Sequence, residues 1–344
     1  MNKILTIIIP TYNMEKYLRP CLNSLLCDAM DMLDVIVIND GSRDSSSAIA
    51  HEYEANYPGM FRVIDKKNGN YGSCINRGLK EVTGKYVKVL DADDMFERSL
   101  LDKFLIMLET VDADVVVNDF NTFREDEGKK LNSYSFPNDH LLPITEIFAT
   151  KSFVPMHSIT YKSSIFKKFC YHQTEGISYT DMQWNSIPLL YADNFIYCKM
   201  PLYIYRLGRE GQTMDPKVIA QKMDDEIMCT EDTIKFLNDA KNISESSALY
   251  LTERCLERCT NIYSNVIIGH NGTFDSLDKF DKFIREENHE LYQTTESSIV
   301  NPYVRFRYIA YWRKLHRGLP IRIRLLLFAV QTLSAINLHK RHRL

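Results

Sequence analysis

Glycine and proline are scarce in this chain, at 13 and 11 of 344 residues, which excludes collagen-like and low-complexity classes. No segment repeats at solenoid or propeller periods. None of the eight cysteines forms a CxxC pair. Cys255 and Cys259 would share a helix face, but no histidine or second cysteine pair accompanies them at zinc spacing. Buried thiols in a reducing compartment are the expectation. A large net charge is also missing. The 42 Lys/Arg against 45 Asp/Glu leave −3, which argues against a nucleic-acid binder. No GxGxxG follows the first apolar run and no GxxxxGK[ST] occurs, so a dinucleotide fold is disfavoured and a P-loop is absent. The run Ile4–Ile9 is shorter than a secretory core of about 7–15 apolar residues and lacks a cleavage site. A cytoplasmic location follows as an expectation.

What is present is ordinary globular composition, 45% hydrophobic and 25% charged, in a length that suits about two domains. The first 120 residues alternate β-rich runs with helical patterns. Leu5–Pro10 reads as a buried strand, and Tyr17, Leu18, Cys21, Leu22 and Leu25 then fall on one helix face. Val35–Asn39 is a second strand, closed by the turn Asp40-Gly41-Ser42. Asp44 and Ser45 can cap a helix over Ser46–Tyr57. Further strands are expected near Arg62–Ile64, Tyr86–Leu90 and Asp114–Val117, with a helix at Leu100–Leu108. This order implies an α/β fold with a mostly parallel sheet covered by helices on both faces. Residues 121–213 are more irregular, and 215–300 read mostly as helix.

Ligands of an open parallel sheet sit beyond the carboxyl ends of its strands. There the chain places Pro10-Thr11-Tyr12, then Asp40, then Asp91-Ala92-Asp93-Asp94. Asp91 and Asp93, at i and i+2 of an extended segment, point to one side. Two carboxylates at a rim suit Mg²⁺ or Mn²⁺. An isolated DxD is commonly just a turn, but here it shares a crevice with Asp40 and Tyr12.

TIIIPTYNMEKYLRPCLNSL, VIVINDGSRDSS, NGNYGSCINRGLKEVTGKYVKVLDADD and the later YTDMQW together resemble family 2 glycosyltransferases of the GT-A fold. The likeness covers about the first 210 residues. It implies a nucleotide-diphosphate-sugar donor, usually a UDP-sugar, a divalent metal (Mn²⁺ or Mg²⁺), and inversion at the anomeric carbon. Carried over by position, Pro10, Thr11 and Tyr12 would hold the uracil, with Tyr12 stacking on it. Asp40 would take the base edge, Asp91 beside Ala92 would contact the uridine, and Asp93 would coordinate the metal. The metal would stabilise the departing diphosphate without proton transfer. Asn76 and Lys88 flank the crevice and read as structural.

Inversion by direct displacement needs one base for the acceptor hydroxyl. The family's Glu-Asp pair corresponds to Thr180-Asp181, which makes Asp181 the base. A helix N-cap is the alternative use of that carboxylate, and Thr180 removes the paired acid. The loop Asn68–Ser73 departs from the family's smaller, more glycine-rich form, which bears on the choice of sugar. A QxxRW pattern is absent, which favours single addition over polymerisation. Arg206 and Arg209 can close on the diphosphate, or form a solvated loop paired with Glu210. His157 is a weak candidate in the acceptor half.

From Tyr303 to Leu344 there are ten Lys/Arg and no Asp or Glu, so the overall −3 leaves −13 on residues 1–302. Val304, Tyr308, Tyr311 and Leu315 recur at helical spacing, with Trp312 at the stripe's edge. Leu325–Leu338 is an uncharged run of 14 residues, short of the roughly 20 needed to span a bilayer. The pattern suits an interfacial helix on an anionic membrane. Packing against the helical region or a partner chain is the competing reading.

The expected organisation is a catalytic domain over 1–213 (nucleotide-sugar half 1–120, acceptor half 121–213), a helical extension over 214–302 and a membrane-associating tail over 303–344. The expected activity is single, metal-assisted transfer of a hexosyl or N-acetylhexosaminyl group to a glycan or lipid-linked acceptor in bacterial surface-polysaccharide synthesis. It would take place at the inner face of the cell membrane. A sugar-1-phosphate nucleotidyltransferase lacks support, because no GxGxR-like loop follows the first strand. The other alternative is a catalytically silent membrane-bound scaffold, against which the intact Asp91, Asp93 and Asp181 count.

Overall fold

The computed structural model describes residues 3–150, 154–209, 221–269, 271–299, 306–315, 320–323, 325–327 and 329–330. The chain divides into two units, residues 1–212 and 213–344.

The first unit is built on a ten-stranded sheet in the order β3-β2-β1-β4-β9-β6-β10-β5. Strands β1 (Leu5–Thr11), β2 (Leu33–Asn39), β3 (Phe61–Asp65) and β4 (Tyr86–Val89) run parallel. The Ile, Leu and Val runs of β1, β2 and β4 are buried on both sides, as parallel strands require, while the edge strand β3 is only half-buried. Leu5, Ile7 and Ile9 of β1 join a core with Leu18 and Leu22 of α1 (Glu15–Asn23), Ala50 of α2 (Ser46–Asn56) and Phe104 of α4 (Arg98–Thr110). Ile8 faces the other way, against α3 (Asn70–Leu79). A Cβ at Gly78 would fall 2.7 Å from the Ile8 side chain, so glycine lets helix and sheet close up. The chain runs outward from β1 to β3 and returns to β4 on the other side of β1. That reversal is the topological switch point at which such sheets open a crevice.

Beyond β4 the sheet of this α/β fold is mixed, with both parallel and antiparallel pairs. Strand β9 (Ile159–Lys162) lies antiparallel between β4 and β6 (Val115–Arg124), and β6 pairs parallel with β10 (Asn194–Arg206). The short β5 (Met95–Phe96), β7 (Gly128–Asn132) and β8 (Leu141–Pro143) add antiparallel edges. Helix α5 (Thr145–Ala149) precedes β9 and α6 (Asp181–Ser186) precedes β10. Lys88 is wholly buried, and its ammonium donates to the His157 and Ile159 carbonyls at 2.9 and 3.0 Å and to Asn118 Oδ1 at 3.3 Å. Burial lowers its pKa.

The second unit contains α7 (Met223–Asp239), α8 (Glu245–Ile267), α9 (Phe274–Glu287), α10 (His289–Thr295) and α11 (Tyr308–Lys314). Ser244, Thr273 and Asn288 cap the starts of α8, α9 and α10 through their side-chain oxygens. Tyr308, Ile309 and Trp312 are buried. The Arg313 guanidinium donates to Asp281 Oδ1 at 2.8 Å and the Tyr263 hydroxyl at 2.9 Å, and stacks on the Tyr292 ring. Of the stripe expected to face a membrane, Tyr308 is buried with Trp312 at its edge, Tyr311 is half-buried and Leu315 is exposed, while Val304 lies outside the described residues; Asp281 draws Arg313 inward. Ile321, Leu325 and Leu326 remain more than half exposed. Residues 331–344, with Lys340, Arg341 and Arg343, lie outside the described residues. No helix among the described residues is long and apolar enough to cross a membrane.

Seven of the cysteines are buried thiols and Cys170 is exposed.

Candidate active site

The carboxyl ends of β1, β2 and β4 carry the residues singled out by motif. Thr11 is buried, while Tyr12 stands 43% exposed at the end of β1, open to a stacking partner. Pro10 lies within β1 and Ala92 is buried in the turn after β4. Asp40, one residue past β2, is held by Lys66 and the Gly69 N–H.

The Asp91–Asp94 turn is fastened from several elements. The Asp94 N–H donates to the Asp91 carbonyl at 3.0 Å. Tyr203 of β10 donates its hydroxyl proton to Asp94 Oδ2 at 2.7 Å and accepts the Asp91 N–H at 3.1 Å. The Arg206 N–H takes the second Asp94 oxygen at 2.7 Å. Tyr71, near the start of α3, donates to Asp91 Oδ1 at 2.8 Å.

The turn also gathers charge. Burial, then the neighbouring Asp93, pushes Asp91 up to about 7, and Asp181 adds to the effect. Burial, then Asp93 and Asp91, raises Asp94 as well. Asp181 is thus within electrostatic reach of the turn although 90 residues separate it from Asp91 in sequence.

Asp181 is the first residue of α6, and Thr180 occupies the cap position. The N-cap alternative for Asp181 is set aside on that ground. Among the described residues its carboxylate has no hydrogen bond or ion pair, which leaves it available to a hydroxyl. Thr180 is buried, and Gln173 Nε2 donates to its hydroxyl at 2.9 Å and its carbonyl at 2.8 Å. A neutral hydrogen-bonded group thus sits where the family pattern has a second acid.

Asn76, read from sequence as structural, positions this loop. Its amide exchanges bonds with the Gln173 backbone, each at 2.8 Å. Gln183 of α6 exchanges bonds with Thr174 at 2.8 and 2.9 Å. Gly72 of α3 packs directly on this segment, since a Cβ there would lie 2.0 Å from the Thr174 carbonyl oxygen. Sequence reasoning missed Gln173 and Gln183. Their signal lay only in amides flanking Thr180-Asp181, which is not specific.

Arg206 and Arg209 lie against the acidic turn. Arg206 Nε donates to the Asp93 carbonyl at 3.2 Å, and Arg209 forms an ion pair with the Asp93 carboxylate. Both guanidiniums lie over the Tyr17 ring. Glu210, Gly211 and Gln212 of that loop are outside the described residues.

His157 comes from a distant segment to the same place. A ring nitrogen of His157 and one oxygen each of Asp91 and Asp94 lie within 4.8 Å of one another. The ring is stacked on Tyr205 at 4.3 Å, and its buried Nδ1 has no hydrogen-bond partner among the described residues. Burial, then Lys88, holds it down to about 3, so it is neutral near pH 7.

Residues 6–170 match the family model described as glycosyl transferase family 2. A curated Mycoplasma genitalium relative, uncharacterized glycosyltransferase MG025, is 30% identical over 226 residues, covering 61% of this chain and 70% of the relative. Streptococcus pneumoniae glycosyltransferase GlyA is 27% identical over 214 residues; the match takes in 60% of this chain but only 31% of GlyA. Among solved structures, S. aureus TarS 1-349 in complex with UDP-GlcNAc aligns with a TM-score of 0.66 at 19% identity, over 90% of this chain and 89% of that one. At that identity the likeness shows the fold.

Proposed function

This chain belongs to glycosyl transferase family 2, and from that premise we propose that it transfers one sugar from a UDP-linked donor to an acceptor hydroxyl with inversion. The observation that carries the proposal is the approach of Asp181, with no partner among the described residues, to the Asp91–Asp94 turn at the switch point. In this reading Tyr12 stacks on the uracil, Thr11 and Asp40 meet its edge, and Asp91 meets the ribose. TarS, which shares the fold, binds UDP-GlcNAc, and that supports a UDP-sugar here.

Asp181 removes the proton from the acceptor hydroxyl as its oxygen attacks the anomeric carbon. The bond from that carbon to the β-phosphate oxygen breaks, and UDP leaves with the bonding pair. One general base is sufficient for this displacement. Arg206 and Arg209, already at the turn, are placed to meet the diphosphate by charge-assisted hydrogen bonds.

The residues present fit a divalent metal. Asp91 and Asp94 are carboxylates that burial disfavours when ionised, and His157 is a neutral imidazole with a vacant nitrogen. These three would hold the ion, with Asp93 brought in on release from Arg209. A mixed oxygen and nitrogen set favours Mn²⁺ over Mg²⁺. When bound, the metal neutralises charge on the leaving diphosphate.

The acceptor we assign is a lipid-linked or surface glycan, met at an anionic membrane face. The exposed Ile321, Leu325 and Leu326 beside Arg322 support that part.

Release of UDP from a panel of UDP-sugars, with and without Mn²⁺, tests the reading together with Asp181→Asn. The variant should bind UDP as wild type does and lose about 10²–10⁴ in turnover. Unchanged turnover removes Asp181 from the base role. Failure of the wild type to bind any UDP-sugar favours a silent scaffold of the same fold.

A further inference from the structure

The ends of β2 and β3 carry an ion pair that the transfer step does not use. Asp40 is 2% exposed. Its Oδ1 accepts from Lys66 Nζ at 2.5 Å and from the Gly69 N–H at 3.0 Å. The same ammonium donates to the Ser73 hydroxyl at 2.8 Å and the Lys67 carbonyl at 2.9 Å, so each of its three protons has an acceptor. The Asn68 side-chain amide donates to the Asp40 carbonyl at 3.0 Å. The cluster admits little else. A Cβ at residue 69 would lie 2.7 Å from Ser73 Oγ and 3.2 Å from Lys66 Nζ, and one at Gly41 would lie 3.2 Å from the Asn68 nitrogen. The Cys74 thiol also lies against the carboxylate; burial, then the Asp40 charge, pushes it up to about 12, so it stays neutral.

We infer that Lys66 is a specificity-determining residue that acts through Asp40: by holding it as an oriented carboxylate, Lys66 makes the donor site select uracil over cytosine nucleotides. The inference rests on the reading above in which Asp40 takes the base edge. An ionised carboxylate only accepts hydrogen bonds. Uracil presents an N3–H donor between two carbonyl oxygens. Cytosine presents a bare N3 acceptor at the same point, so acceptor would face acceptor. Deprived of the ammonium, the carboxylate keeps the Gly69 N–H at 3.0 Å but loses the contact that fixes how its oxygens face the base. An acceptor no longer fixed opposite N3 neither rewards the uracil N3–H nor repels the bare cytosine N3, and the discrimination disappears. Lys66 itself has no proton left for the base, so its effect is positional.

Calorimetric titration of UDP and CDP, with Mn²⁺ present, into wild type, Lys66→Met and Lys66→Arg tests this. Wild type should prefer UDP, Lys66→Met should lose at least about tenfold of that preference, and Lys66→Arg should keep most of it. An unchanged UDP-to-CDP ratio in a folded Lys66→Met protein overturns the inference while leaving the donor reading intact. Wild type that binds neither nucleotide overturns the donor reading itself. Should Lys66→Met not fold, Asp40→Asn is read in the same titrations. Its amide both donates and accepts, so the ratio should collapse, and a retained ratio also overturns the inference.

Discussion

A buried carboxylate beside other carboxylates is poorly stabilised until a cation joins it, and Asp91 is in that position. Its folded value, about 7, lies above the ordinary 3.8. Between those values the folded chain keeps a proton that the unfolded chain has released. The stability from this group is therefore present at low pH and lost as pH rises through about 7. His157 works in the opposite direction, since its folded value of about 3 lies below 6.5, and it adds stability as pH rises across that window. A metal must displace the Asp91 proton, so Mn²⁺ affinity should rise as pH climbs from 5.5 towards 7.5, by up to about tenfold per unit below 7. Calorimetric titration at fixed ionic strength measures it, and a flat profile would remove Asp91 from the ligand set. Asp40, Asp91 and Asp181 were legible as candidates because each follows a strand or opens a helix within a motif. His157 was only weakly legible, because nothing local in Met156-His157-Ser158 shows that β9 carries it to the turn after β4.

Left-handed backbone collects around the crevice at the level of elements. Asn13 (φ 54°), Asn70 (φ 63°) and Tyr179 (φ 61°) follow β1, open α3 and precede α6. Asparagine tolerates that region, but a tyrosine there costs about 1–2 kcal/mol. The Asn76–Gln173–Thr180 network holds Tyr179 there and so aims α6. Helix α3 is thereby a strut for the base as well as a cover for the sheet. Gly72→Ala is the direct test, because its Cβ would meet the Thr174 carbonyl at 2.0 Å. Overpacking of this kind costs about 1–3 kcal/mol and would push the Asp181 loop away. Thermal unfolding should show that loss, and turnover should fall further than UDP affinity does. Equal losses in both would mean that α3 supports the donor side alone. The strands and the first helices were readable from apolar period and turn residues. The strut was not, since it joins residues 97 apart through amides that carry no periodic signal.

Across the whole molecule the charge is uneven, with ten Lys/Arg and no acid after residue 302 and a net −13 before it. Tyr308 and Trp312 of that basic segment are buried in the second unit, but Ile321, Leu325 and Leu326 are 61%, 56% and 64% exposed. Sedimentation with phosphatidylglycerol vesicles should pellet the protein at low salt, with roughly 1 kcal/mol contributed per cation near the surface. Replacing the three apolar residues by serine should leave most of it in the supernatant. A triple variant that pellets like wild type would assign the exposed face to something other than lipid.

Sequence by itself determined the α/β order, the strand ends and the acidic motifs, because apolar period, turn chemistry and motif spacing act over a few residues. Only the tertiary structure decided which of those acids share one low-dielectric crevice. It also brought His157 beside Asp91, put Arg209 on Asp93, and buried Trp312 where an exposed face was expected. Each of those outcomes depends on contacts between residues far apart in the chain, where packing and charge pairing outweigh local preference.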